Sequence, residues 1–325
     1  MIIDGHAHLV PPALLEAVRD RRSEFASTEV IDKDGSVAFA FAGGKPTRPV
    51  AGKLSDLDKR TAWMDAQRID RQVFAGWLDM FGYELPAEEG AIWSRMINDA
   101  LIAHGKADDR FIPMGTVPLQ DGKAAAAELE HLAGQGVKGV MIGTQPKGVG
   151  GVLDDGALDP FWEAAHRLGS VITIHPVFDS GDARNGDYGM NNAVGRITDT
   201  LIAVSRLIYA GHVQRFSNAK IVVGIGGAAL PYALGRLRRN YKMDPENLAD
   251  PDVAVRGMYY DTIVQDHGAL RLLIDTVGAD RLMMGSDMPF PIGDLEPLDL
   301  IAAHDFTDAQ RTSINGGLVA RLLDL

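Results

Sequence analysis

The residues best suited to chemistry in this sequence are histidines and an aspartate that follow short apolar runs. His6 and His8 stand two apart in DGHAH, His175 closes VITIH, and Asp287 lies in GSDMPF. Alternate residues of a strand share one face, so the first two imidazoles can approach one ion together. Each residue alone has a structural explanation, as a surface histidine, a core histidine or a helix cap. Together they predict one divalent ion held by His6, His8, His175 and Asp287.

The donor atoms restrict which ion this could be. The sequence contains no cysteine, so thiolate ligands and a thiolate nucleophile are excluded. Imidazole nitrogen and carboxylate oxygen suit zinc, and also manganese, iron or cobalt. We expect zinc, with the other three as alternatives.

The elements that must position these residues are about eight short apolar runs separated by amphipathic stretches. Most runs are continuously apolar, which is typical of parallel strands buried on both faces. Their alternation with helical patterns predicts an α/β fold, a (β/α)₈ TIM barrel in the first place and an open doubly wound sheet as the alternative. The runs cover residues 1–4, 72–76, 111–119, 137–145, 171–178, 220–227, 258–264 and 281–290.

Two insertions interrupt this alternation. Residues 30–44 predict a β-hairpin that turns at Asp34-Gly35, within an insertion of about residues 30–50 after the first strand. Residues 181–192 form a polar, glycine-rich loop after the fifth strand. Loops at the carboxyl ends of barrel strands build the active site. We expect residues 1–325 to form one barrel domain.

Bulk composition narrows the partners and the location. The net charge of −12 argues against nucleic acid and anionic membranes, while 46% hydrophobic residues allow a large core. No apolar run reaches membrane-spanning length, and MIIDGHAH does not resemble a signal peptide. These features predict a cytoplasmic protein that acts on a small molecule.

The motifs together resemble the amidohydrolase superfamily, in which HxH follows strand one, a histidine follows strand five and an aspartate follows strand eight. More narrowly, the chain resembles the amidohydrolase-2 branch typified by 2-amino-3-carboxymuconate-6-semialdehyde decarboxylase. The resemblance runs over essentially the whole length, and members are mostly non-oxidative decarboxylases, with some hydratases and hydrolases. The segments that carry it are RPV at 48–50, MFGY at 80–83, VPLQD at 117–121, IHP at 174–176, GGAALPYALGR at 226–236 and VGADRLMMGSDMPFPIG at 277–293.

The resemblance also implies roles for single residues. His175 and Asp287 would be catalytic as well as metal ligands. Arg48 and Arg236 match arginines that hold substrate carboxylates, the second reaching in from a neighbouring subunit of a homodimer. Asp261, which ends the seventh strand, is expected to orient a ligand.

One position departs from the family pattern. The strand-six segment of the family carries a glycine-flanked histidine, and here Ile225 stands in its place in VGIGG. Isoleucine can neither bind a metal nor carry a proton. His267, after the seventh strand, is the better candidate for a replacement imidazole, whereas we expect His212 to be exposed.

Three hypotheses follow. The first is a metal-dependent non-oxidative decarboxylase of a small unsaturated or aromatic carboxylic acid, in which Asp287 or a bound water supplies the proton. The second is a hydrolase or hydratase of a ring-cleavage product, lactone or amide, in which Asp287 is the base. The third is a catalytically altered barrel, and the loss of the histidine at Ile225 is its main support.

Overall fold

Parallel strands and helices alternate through residues 1–148 and 150–325, the residues that the computed structural model describes. All strands except the β2–β3 pair are parallel members of one barrel. The strands are β1 (Ile3–His8), β2 (Thr28–Lys33), β3 (Ser36–Phe41), β4 (Arg71–Ala75), β5 (Phe111–Pro113), β6 (Gly139–Gly143), β7 (Val171–His175), β8 (Lys220–Val223), β9 (Tyr259–Asp261) and β10 (Leu282–Met283). Each predicted apolar run contains at least part of a barrel strand.

Two seams close the ring. The ladders run β1-β4-β5 and β6-β7-β8-β9-β10. A parallel bridge between Ala7 and Met288 joins the first strand to the segment after the last, and one between Gly115 and Val140 joins β5 to β6. The His8 N–H donates to the Met288 carbonyl at 2.8 Å, and the Met141 N–H donates to the Gly115 carbonyl at 2.9 Å. The sheet is therefore the predicted (β/α)₈ barrel and not an open sheet.

The helices pack outside these strands and cover their apolar side chains. In β7 every residue is buried, as the unbroken apolar run VITIH predicts. The helices are α1 (Pro12–Arg21), α2 (Leu57–Ala66), α3 (Ala87–Ala107), α4 (Gly122–Gly134), α5 (Asp159–Leu168), α6 (Arg196–Tyr209), α7 (His212–Arg215), the single turn α8 (Gly224–Gly227), α9 (Leu230–Tyr241), α10 (Pro251–Gly257), α11 (His267–Val277), α12 (Pro297–Ala302), α13 (Asp308–Thr312) and α14 (Leu318–Leu323). None of these helices is both long and apolar enough to cross a lipid bilayer.

The β2–β3 hairpin confirms the predicted insertion. Its turn residues Asp34 and Gly35 both have positive φ, 53° and 78°, as a two-residue hairpin turn requires. Phe39 and Phe41 of β3 lie 5.6 and 5.5 Å from the Trp93 ring of α3, which anchors the hairpin to the barrel. The segment after the hairpin then carries Arg48 to the carboxyl ends of the strands, where its guanidinium contacts the aromatic ring of Phe178, three residues beyond β7.

Candidate metal centre and active site

The four predicted ligands converge at the carboxyl ends of three strands. His6 and His8 lie on β1, His175 is the last residue of β7, and Asp287 follows β10. One ligand atom from each lies within 4.8 Å of all the others, and all four residues are buried. His8 Nε2 is 3.1 Å from Asp287 Oδ1 and 3.2 Å from His175 Nε2. The structure thus brings together all four residues.

The second ring nitrogen of each histidine is held by an oxygen atom. This arrangement places the proton on Nδ1 and leaves the Nε2 lone pair free to face the centre of the cluster. The pairs are His6 Nδ1 with Asp261 Oδ2 at 2.7 Å, His8 Nδ1 with the Gly76 carbonyl at 3.1 Å, and His175 Nδ1 with the Pro176 carbonyl at 2.8 Å.

The free atoms at the centre fit a cation. His6 Nε2 and Asp287 Oδ1 are buried without a hydrogen-bond partner, although they lie 3.9 Å apart. Buried lone pairs that face one another cost free energy unless a donor or an ion satisfies them. Three imidazole nitrogens and one carboxylate oxygen form a donor set for one divalent ion.

Electrostatics keep two of the ligands in the protonation state that binds metal. Burial lowers the pKa of His175 to about 4, so its imidazole is neutral. Burial raises the pKa of Asp287, but the close approach of the His175, His8 and His6 imidazoles outweighs this and holds that pKa well below its usual range. A neutral imidazole and an ionised carboxylate are the forms that coordinate an ion.

Asp261 lies where the sequence places it, behind His6. Besides holding Nδ1 of that imidazole, its carboxylate accepts from the N–H groups of Ile225 at 3.0 Å and Gly226 at 2.6 Å. Burial lowers the pKa of His6, and the hydrogen bond and charge of Asp261 more than reverse this, so the net shift is upward. Asp261 therefore links the orientation of one ligand to the turn that carries Ile225.

Ile225 lines the cavity above the metal centre and adopts a left-handed backbone, with φ 48° and ψ 49°. Neither proposed substitute histidine reaches this cavity. His212 is buried between the Trp162 and Phe216 rings, so the expectation that it is exposed was wrong. The apolar contacts of α7 with α5 were not visible in the sequence. His267 is exposed at the start of α11, where its Nδ1 lies 3.4 Å from His304 Nε2.

The two predicted substrate arginines differ in position. Arg48 stands at the mouth of the site, with its Nη2 3.0 Å from Asp79 Oδ2 and its guanidinium 4.0 Å from the centre of the Phe178 ring. Arg236 is exposed on α9 and lines neither of the cavities beside the metal centre. Within one chain Arg236 is therefore outside the site, and its role in a neighbouring subunit stays a prediction.

Arg196, which the sequence analysis missed, lies inside the site. As the first residue of α6 it lines the cavity of about 250 Å³ that His175 and Asp287 also line. The predicted helix starts with this basic residue, which is unfavourable in a first turn, and in the structure the helical turn Asn191–Gly195 leads directly into it. This helix also follows the glycine-rich loop at the catalytic face.

Comparison with known proteins agrees with this geometry. The family described as Amidohydrolase matches residues 3–325. The 2-amino-3-carboxymuconate-6-semialdehyde decarboxylase of Dictyostelium discoideum is 28% identical, covering 99% of this chain and 91% of that protein. The crystal structure of 5-carboxyvanillate decarboxylase from Sphingomonas paucimobilis has a TM-score of 0.81 at 26% identity, covering 100% of this chain and 99% of the other.

A second solved structure shares the fold and contains a metal ion. It is a 5-carboxyvanillate decarboxylase from Novosphingobium aromaticivorans in complex with manganese, with a TM-score of 0.81 at 22% identity, covering 100% of this chain and 96% of the other. The resemblance read from the motifs is confirmed by the match along the whole barrel. The chain belongs to the amidohydrolase family.

Proposed function

We propose that this chain is a metal-dependent, non-oxidative decarboxylase of a small unsaturated or aromatic carboxylic acid. The observation that carries the proposal is the buried cluster of His6, His8, His175 and Asp287, which opens into a cavity bordered by an arginine. The printed names of the similar proteins above, all decarboxylases, support the same reaction. This was the first of the three hypotheses drawn from the sequence.

A divalent ion bound by these residues would stabilise the negative charge that develops as the carbon–carbon bond breaks. His6, His8 and His175 hold their positions through their Nδ1 contacts and need no rearrangement. When CO₂ leaves, the electron pair of the broken bond stays on the substrate carbon and must take up one proton.

We assign delivery of that proton to Asp287, with a bound water as the alternative. The titratable side chains among the described residues that line the cavity are His175, Arg196 and Asp287. His175 keeps its Nδ1 proton on the Pro176 carbonyl, and arginine does not give up a proton in proteins. A low pKa keeps Asp287 ionised near neutral pH, so it would relay a proton from solvent to the substrate carbon and would not store one.

The finer parts of the proposal concern metal, substrate contacts and assembly. Zinc is the preferred ion because three imidazoles and one carboxylate suit it, and manganese is the alternative. Arg48 would hold a carboxylate that the substrate keeps, and Arg236 would do so from the neighbouring subunit of a homodimer. We place the protein in the cytoplasm.

The test is metal analysis followed by a CO₂-release assay. Protein loaded with zinc or manganese is incubated with a panel of aromatic and muconate-type acids. We expect CO₂ release that a chelator abolishes, and that Asp287→Asn lowers at least about 100-fold. The control is Asp299→Asn, an exposed aspartate on α12, which should retain full activity.

Two outcomes would contradict decarboxylation in different ways. Turnover of lactones or amides without CO₂ release from any acid would establish the hydrolase hypothesis instead. Protein that takes up no divalent ion would favour the catalytically altered barrel.

A further inference from the structure

Arg196 is a cation without a counter-ion beside the metal centre. Its Nε is buried and has no hydrogen-bond partner. Across residues 1–148 and 150–325, no carboxylate lies within 4.0 Å of its guanidinium. A partly buried guanidinium without hydrogen bonds is costly, and a planar anion is the partner that best satisfies its donors.

The surroundings of Arg196 leave one positive charge unmatched. Arg48 and Arg196 lie over the same Phe178 ring, at 4.0 and 5.4 Å from its centre. Only Arg48 is paired, with Asp79. Burial and the charge of Arg48 lower the pKa of Arg196, although arginine remains a cation in proteins. Arg196 lines both the cavity above the metal centre and a second cavity beside it, which Arg48 also lines. An anionic group that enters there meets the free guanidinium of Arg196.

Much of the remaining wall of the cavity is apolar, although Asn192 and Gln265 also line it. Ile225, Ile263 and Val264 line it, together with Ala228 and Ile292. A substrate whose reacting group lies at the four metal-binding residues can therefore contact both an apolar surface and Arg196.

We propose, on the basis of the proposed function, that Arg196 of the same chain binds the anionic group that the substrate retains. Arg196 then determines the specificity of the site, and it contacts the substrate that is bound to its own chain.

The test measures binding and needs no turnover. Isothermal titration of zinc-loaded protein compares benzene-1,3-dicarboxylate with benzoate, which lacks the second carboxylate. Wild-type protein is expected to bind the dicarboxylate at least about tenfold more tightly, because a charge-assisted pair contributes about that factor. Arg196→Gln should abolish this preference and leave the affinity for benzoate within about threefold.

A second arginine of α6 provides a matched control. Arg206 lies on the same helix, but its Nε is 2.7 Å from Asp154 Oδ1 and it faces away from the cavity. Arg206→Gln should keep the preference for the dicarboxylate. If Arg196→Gln fails to fold, Arg196→Lys serves instead, with an intermediate loss of preference expected since one charge remains without the guanidinium fork.

The proposal is overturned if wild-type protein shows no preference or if Arg196→Gln retains it. These outcomes are distinguishable from failure of the proposed reaction. Loss of the dicarboxylate preference in Arg196→Gln would support the inference even if no acid released CO₂.

Discussion

At the scale of single residues, the metal centre depends on how each side chain is held before an ion arrives. His175 is fixed by its own neighbour, since its Nδ1 lies 2.8 Å from the Pro176 carbonyl. Burial lowers the pKa of His175 to about 4, so the imidazole is already neutral near pH 7 and no proton has to leave before an ion binds. Removal of this ring should therefore affect metal binding more than folding.

The first prediction is that His175→Ala abolishes stoichiometric metal content. Loss of a residue that only orients a ligand typically weakens metal binding by about 10- to 100-fold. Loss of one of the four ligands should weaken it by more than that. The measurement is metal content per chain after gel filtration. His267→Ala, which changes an exposed histidine outside the cavity, should retain wild-type metal content. A full complement of metal in His175→Ala would disprove this ligand set.

The second prediction concerns the strained backbone at Ile225. A β-branched residue with φ 48° costs about 1–2 kcal/mol, whereas asparagine tolerates the left-handed region. Ile225→Asn should therefore raise the free energy of unfolding by about 1 kcal/mol, measured by denaturant titration.

The control for this substitution is a neighbour in the same cavity wall. Ile263 is 3% exposed and is absent from the residues with positive φ. Ile263→Asn should destabilise by about 3 kcal/mol, because it buries an amide in an apolar position. Equal losses in both variants would show that the backbone at Ile225 stores no strain.

At the scale of elements, a buried polar network ties α2 to the strands beneath the metal centre. Arg60 of α2 is fully buried, and its Nη1 donates to Gln72 of β4 at 2.6 Å. Its Nη2 donates to the carbonyl of His8. Gln72 in turn donates to Asp4 of β1 at 2.8 Å. The network holds β1 and β4 in the register that places the first two histidines.

The third prediction is that Arg60→Leu destabilises the protein by about 3 kcal/mol, since it leaves the Gln72 oxygen and the His8 carbonyl buried without partners. Metal affinity should fall as well, because β1 loses one of its supports. Lys59→Leu removes a charge from the same helix at a side chain that is 84% exposed, and should leave the free energy of unfolding close to that of the wild type. A loss in Arg60→Leu no larger than that in Lys59→Leu would refute the role of the network.

The strands and the hairpin turn could be predicted from the sequence because local residue patterns determine them. The eight apolar runs and the turn at Asp34-Gly35 follow from periodicity and turn chemistry, and all are present in the structure. The ligand residues were identifiable because each lies within or just after an apolar run. Their contacts with one another depend only on closure of the barrel.

The parts that could not be predicted depend on contacts between distant segments. The burial of His212 depends on Trp162, which is 50 residues earlier in the chain. The position of Arg196 depends on how the loop at 181–192 returns to the barrel. The pairing of Arg48 with Asp79 joins the end of the hairpin insertion to the segment after β4, which no periodicity relates.

At the scale of the whole molecule, the stability should depend on pH through buried histidines. Burial lowers the pKa of His212 from the ordinary value of 6.5, and neither of its ring nitrogens has a hydrogen-bond partner. The unfolded chain therefore takes up this proton before the folded one does. The stability from this group is complete above pH 6.5 and is lost as the pH falls below that value.

The fourth prediction is that His212→Phe flattens this dependence. Between pH 7.5 and pH 5 the variant should lose less unfolding free energy than the wild type, by up to about 1 kcal/mol. At pH 7.5 it should be at least as stable, because an unpaired polar ring is replaced by an apolar one. Parallel curves of stability against pH for the two proteins would contradict the assignment.

The fifth prediction is that a bound ion stabilises the entire fold. Free zinc at about 100 times its dissociation constant should add about 2.7 kcal/mol to the free energy of unfolding. The measurement is the thermal midpoint before and after chelation. His175→Ala should show no shift, and a wild-type midpoint that is indifferent to chelation would contradict tight binding.

The seam between β1 and the segment after β10 has a consequence for biosynthesis. The N–H groups of Ser286 and Asp287 donate to the carbonyl of His6, so the ligand cluster straddles the junction between the beginning and the end of the barrel. A nascent chain that has emerged only as far as β9 already carries His6, His8 and His175, yet it lacks the carboxylate and the strand that would hold β1 in place. Capture of the ion thus reports that translation of the barrel has finished and that its two ends have met.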